Sequence, residues 1–149
     1  MSLPARTDLG ILLRKMSPVL AGGEYVFCTF PAGTIPAALS PVGTFHEKEG
    51  ASAICLRRNA RRLGLPFTGR YRLITLTVHS SLAAVGFLAA VTAALAAAGV
   101  PCNAVSAYHH DHLFVPSVHA RRALGLLRRL ARPGPRRARG AARRRPRAR

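Results

Sequence analysis

A chain of 149 residues has room for one domain or two very small ones, and a hydrophobic content of 49% excludes wholesale disorder. The net charge of +18 points toward polyanions, yet nine arginines and no acid fall in residues 132–149, so that residues 1–131 carry fourteen basic against five acidic side chains, a net of +9. Trp is absent and large aromatics are few, so a core has to be built from Leu, Val, Ile and Ala.

Residues 8–16 (DLGILLRKM) form the first amphipathic pattern, with Asp8 or Thr7 placed to cap a helix and Pro18 to stop it. Gly22-Gly23 predicts a turn, and residues 24–30 (EYVFCTF) a strand, because β-branched and aromatic side chains dominate there. Residues 31–43 hold three Pro and two Gly and read as a loop. After FHEKEG and a turn at Gly50, ASAICL predicts a second strand, followed by a short basic helix in RRNARRLGL with Gly64 as its stop.

Residues 70–79 (RYRLITLTVH) give the clearest strand, with Ile74, Leu76 and Val78 forming the more apolar face. Ser80-Ser81 then reads as the N-cap of an Ala-rich helix running to Gly99, and Pro101 prevents extension. Residues 102–108 predict a strand, HHDH a turn, and Leu113–Val115 the partner strand. In residues 117–131, Ser117 is placed to cap a helix with Leu124, Leu127 and Leu130 on one face and arginines on the other. The order is α-β-β-α-β followed by β-α-β-β-α, which two degenerate copies of a ferredoxin-like unit explain if strand 70–79 joins them. The expectation is an α+β chain with a mainly antiparallel sheet and helices on one face, divided as 1–69, 70–131 and a disordered Arg-rich tail, 132–149.

Residues 82–100 run without a charge, close to the about 20 residues that span a bilayer. Nine of them are the weakly hydrophobic Ala, and Leu82, Val85, Leu88, Val91 and Leu95 recur at three and four, the stripe of a buried helix. No membrane span and no secretory signal are expected. The three cysteines are widely spaced within apolar runs and show no metal-type spacing, which suits reduced, buried thiols and a cytoplasmic location.

Three constellations could carry chemistry. At the strand-to-helix junction from His79 through Ser80, Ser81, Leu82 and Val85 to Gly86, a helix start offers free N–H groups and a positive dipole end to a carboxylate; plain capping by the serines is the alternative. Tyr108-His109-His110-Asp111-His112 has metal-ligand residue types, but adjacent side chains on a strand point to opposite faces, so a polar hairpin tip is expected and no metal or cofactor. His46-Glu47-Lys48-Glu49-Gly50 gathers two of the five acids, and Glu49 could accept hydrogen bonds from an ammonium group or remain a solvated turn. No nucleophile–base, P-loop or dinucleotide motif is present, so no enzyme is expected. The tail could adhere to nucleic acid or an anionic surface without reading sequence.

The runs RLITLTVHSSLAAVGFLAAV, GVPCNAVSAYHHDHLFVP, GEYVFCTF and TFHEKEG resemble the small stand-alone tandem ACT-domain proteins, over about residues 6–131. The resemblance implies tandem βαββαβ units in one sheet that bind an amino acid or related small effector beside the first strand-to-helix loop, with a homodimer as the expected assembly. Carried across, that loop is His79–Gly86 and the facing copy offers Thr44 to Gly50. The carboxylate would sit at the N–H groups near Ser80 and Ser81, and the ammonium near Glu49. The chain departs from the pattern in having no evident final strand after helix 117–131.

Overall fold

The computed structural model describes residues 8–78 and 84–132. Helix α1 (Leu9–Lys15) starts where Asp8 Oδ1 accepts the Ile11 N–H at 2.7 Å, the capping bond expected of that residue type. Its buried Leu12 points into the core. Strand β1 (Pro18–Leu20) follows, then β2 (Tyr25–Phe30), a 3-10 turn at Ala37–Leu39, and the hairpin β3 (Gly43–Glu47) and β4 (Gly50–Leu56). Helix α2 (Arg57–Arg62) leads to the nine-residue β5 (Thr68–Leu76). Then come α3 (Phe87–Ala97), the hairpin β6 (Asn103–Ser106) and β7 (Asp111–Pro116), a 3-10 turn at Ser117–His119, and α4 (Ala120–Leu130).

The seven strands of the described residues join one antiparallel sheet in the order β3-β4-β2-β5-β7-β6, with β1 paired to β5. Strand β5 serves both halves. Its first residues pair with β2 (Tyr25 opposite Tyr71, Phe27 opposite Thr68), completing a β2-β3-β4 unit. Its last residues pair with β7 on one side and, on the other, with β1, where Leu20 stands opposite Ile74 and Pro18 opposite Leu76. The second ferredoxin-like unit thus takes its fourth strand from residues 18–20, which accounts for the absence of a strand signal after residue 131.

The four helices of the described residues lie on one face of the sheet. Ile74, Leu76, Leu113 and Val115 alternate toward α1, α3 and α4, where they pack with Leu12, Phe87, Val91, Leu95, Ala123 and Leu127. Each such Leu, Ile or Phe contributes about 1.5–3 kcal/mol when fully buried. A smaller cluster of Val26, Cys28, Ala53, Cys55 and Ala60 lies under α2 and the Ala37–Leu39 turn, with Leu39 inserted. The opposite face carries Tyr25, Phe27, Tyr71 and Phe114 in edge-to-face contacts with centroids 5.2–6.0 Å apart.

Local expectations for α3, α4 and the β6–β7 turn are corrected. α3 begins at Phe87, its N-cap is Gly86, and Val85 is 85% exposed rather than part of a core stripe. The N-cap of α4 is His119, because a 3-10 turn intervenes after Ser117. The β6–β7 turn is closed by Ala107 N–H donating to His110 C=O, so Asp111 and His112 belong to β7. No helix among the described residues is long and apolar enough to cross a membrane.

Candidate ligand site at the β5–α3 junction

Strand register decides which sequence-predicted residues share an end of the molecule. Leu76 lies opposite Asp111, and Asp111 opposite Ser106, so the C-terminal end of β5 and the β6–β7 hairpin tip are neighbours. The connection from β5 to α3 leaves from that same end. His79, Ser80, Ser81 and Leu82 lie outside the described residues; Val78, buried, and Ala84–Gly86 flank them.

Polar groups concentrate here. Asp111 is the buried charged residue among the described side chains and accepts a 2.5 Å hydrogen bond from Ser106 Oγ. Thr75 Oγ1 and His112 Nδ1 are 3.0 Å apart. Thr77 Oγ1 and Thr77 N–H both donate to Ser17 C=O, tying the end of β5 to the loop before β1. Tyr108 is exposed and stacks edge-on with His109 at 4.8 Å. Burial pushes the His112 imidazolium pKa below its usual 6.5, and nearby His110 adds to that while Asp111 opposes it. The sequence puts Asp111 in a turn at a polar hairpin tip, whereas it opens β7; its alternation with Leu113 and Val115 on the helix-covered face is the signal that locates it inside.

Gly86 adopts φ 85°, a left-handed conformation that glycine takes without the steric cost other residues meet. The N-cap, Gly86, has no side chain with which to bond the first turn of α3. The helix start that could meet a carboxylate is therefore at Gly86–Ala89, five residues after Ser81 in the sequence.

Thr44, Glu49 and Gly50 are elsewhere. Thr44 is exposed on the edge strand β3, Glu49 is exposed in the β3–β4 turn, and Gly50 opens β4 beside the Phe30 carbonyl. Since Phe30 lies opposite Ala51 while Tyr25 lies opposite Tyr71, this corner is at the far end of the sheet from Leu76, about 30 Å along the strands. Within one chain the two corners do not face each other, because β2 and β5 are antiparallel neighbours and their strand-to-helix exits point opposite ways. Among the described residues no group of three or more His, Cys, Asp or Glu is arranged to hold a metal ion.

This sheet, with a strand-to-helix exit and a helix-covered face in each half, defines a protein built from two ferredoxin-like units. Two ACT-domain families match the sequence, one over residues 4–72 and one over residues 69–129. A protein of unknown function from Vibrio cholerae, described as a possible transport protein, is 40% identical over 83% of this chain and 96% of its own, with a TM-score of 0.74. The chain belongs to the ACT-domain family, as a tandem pair. An Agrobacterium tumefaciens protein (20% identity, 78% of this chain and 90% of its own, TM-score 0.67) shares the fold. So does a regulatory C-terminal domain assigned to aspartate kinase from Porphyromonas gingivalis (14% identity, 78% and 96%, TM-score 0.53). No curated protein matches the sequence.

Proposed function

We propose that the protein is a non-catalytic regulatory module that binds a small ligand, an amino acid by class, at the β5–α3 junction. The observation that carries this reading is the meeting, at one end of the sheet, of a helix start whose N-cap is Gly86 and a polar hairpin whose Asp111 is buried on the same helix-covered face. The N–H groups that a helix start leaves free suit a carboxylate, and the connection that precedes α3 contains His79, Ser80 and Ser81 in its sequence. The membership in the ACT-domain family supports the ligand class. The corner of Thr44, Glu49 and Gly50 joins such a pocket only if it comes from a second copy, so a homodimer is part of the proposal.

Thermal denaturation of the full chain in the presence of each of the twenty amino acids tests it. A ligand at a hundredfold excess over its dissociation constant adds about 2.7 kcal/mol. At this size that raises the midpoint by about 5–10 °C. If none of the twenty moves the midpoint, the amino-acid reading is lost. If deletion of 132–149 also abolishes a salt-sensitive DNA interaction, adhesion through the Arg-rich tail takes its place.

A further inference from the structure

Arginines 57, 58 and 61 gather around a cavity of about 220 Å³ that no part of the ligand reading uses; its other walls are Gly23, Glu24 and Leu56. The cavity lies where the turn into β2 meets the end of β4 and the first turns of α2, far from the β3–β4 corner and outside the β5–α3 junction. We propose that it is a binding site for a phosphate group, carried either by the inorganic ion or by a small phosphorylated molecule.

Charge is the first argument. Three guanidinium groups face one carboxylate, and that carboxylate is already committed. Arg57 Nη1 donates to Glu24 Oε2 at 2.7 Å, and Arg57 N–H donates to Glu24 C=O at 2.8 Å. The Arg57 guanidinium holds the Glu24 carboxyl below its usual pKa and keeps it ionised. Arg58 and Arg61 form no ion pair among the described residues. They are three apart on α2, on one face of the helix, and both are exposed at the mouth.

Donor accounting is the second argument. Arg57 Nε has no hydrogen-bond partner among the described residues, but it lies beneath the cavity wall, so an anion there reaches it only when the Arg57 side chain turns. A buried donor of this kind is rare in a folded protein and calls for an acceptor. A phosphate oxygen is the acceptor that the planar guanidinium fork fits best, since it presents paired oxygens at matching spacing. Size is the third argument. Drug-sized ligands occupy about 300–1,000 Å³, so this cavity suits a phosphate group with little attached to it.

Isothermal titration of the full-length protein with inorganic phosphate, and separately with glycerol 3-phosphate, distinguishes the two sources of the group. The expected result is saturable one-to-one binding of at least one of them, the tighter naming the source. Binding should weaken about tenfold or more in the R58Q/R61Q variant, the scale of one lost charge-assisted hydrogen bond. It should be unchanged in R128Q/R129Q, which removes the same charge from the exposed face of α4. No saturable binding of either compound, or equal weakening in the two charge-matched variants, overturns the site. Neither result bears on amino-acid binding at β5–α3.

Discussion

Thr75 and His112 face each other across the β5–β7 pair, with Thr75 Oγ1 and His112 Nδ1 3.0 Å apart. The bond holds the ring in place on a strand whose next residue toward the tip, Asp111, is buried. Burial holds the His112 pKa in the folded protein below 6.5, so the unfolded chain binds a proton more readily. The stability this group contributes is present above pH 6.5 and lost as pH falls through the lower folded value. The thermal midpoint of His112→Gln should therefore fall less steeply than that of the parent between pH 7 and pH 5. A direct NMR titration of the His112 ring should give a value under 6.5; a value above it contradicts the assignment.

Leu12 tests whether the segment before β1 is part of the second unit. It is fully buried with Val91, Leu95 and Leu127. Leu12→Ala should cost about 2–5 kcal/mol in urea unfolding, the range for a truncated core leucine. A loss under 1 kcal/mol would show α1 to be loosely attached.

Gly86→Ala separates backbone strain from crowding. A Cβ there would lie 3.6 Å from Leu9 Cδ2, an ordinary contact, so space is available. The φ of 85° is the obstacle, and the variant should lose about 1–2 kcal/mol. The urea midpoint reads this directly, and an unchanged midpoint would mean that α3 starts differently.

The cysteines should be silent in the native protein. Desolvation pushes the thiol of Cys55 up to about 12 and that of Cys102 up to about 11, and it raises Cys28 as well. Cys28 Sγ and Cys55 Sγ are 4.0 Å apart and both thiols are free. At pH 8 almost no thiolate is present, so iodoacetamide labelling followed by mass spectrometry should track global unfolding. Fast labelling of Cys55 in the folded state would contradict its burial.

Strong local signals were legible in the sequence, and tertiary ones were not. The Asp8 cap, the β2, β4 and β5 runs, the Gly64 stop after α2 and the amphipathic α4 are written in residue type and period, and each element is present, although β5 ends at Leu76 rather than at 79 and α4 opens at Ala120 rather than at Ser117. Strand β1 is three residues opening on a proline, which is too short for a period, and it exists because β5 offers an unpaired edge. Strand β3 is exposed along nearly its whole length and follows a Pro- and Gly-rich stretch, so it shows no alternation. The start of α3 was misplaced because Ser80-Ser81 is a strong capping signal and Gly86 looks like an interior packing glycine. At the candidate site, the junction was legible as a motif. Its distance from Thr44, Glu49 and Gly50 was not, since residue spacing says nothing about which end of an antiparallel sheet a loop leaves from.

The position of β1 also governs when this chain can fold. Val19 must wait for Thr75, more than fifty residues later, before it has anything to bond, and Leu12 must wait for Leu127. On the ribosome, α1 and β1 emerge with no surface to settle on, while β2–β4 can already form a hairpin stack. Closing so long a loop late makes the final step slow relative to local helix formation. A pause in synthesis before α4 would leave the early segment solvent-exposed, with its apolar stripe open to chaperones or to a second nascent copy.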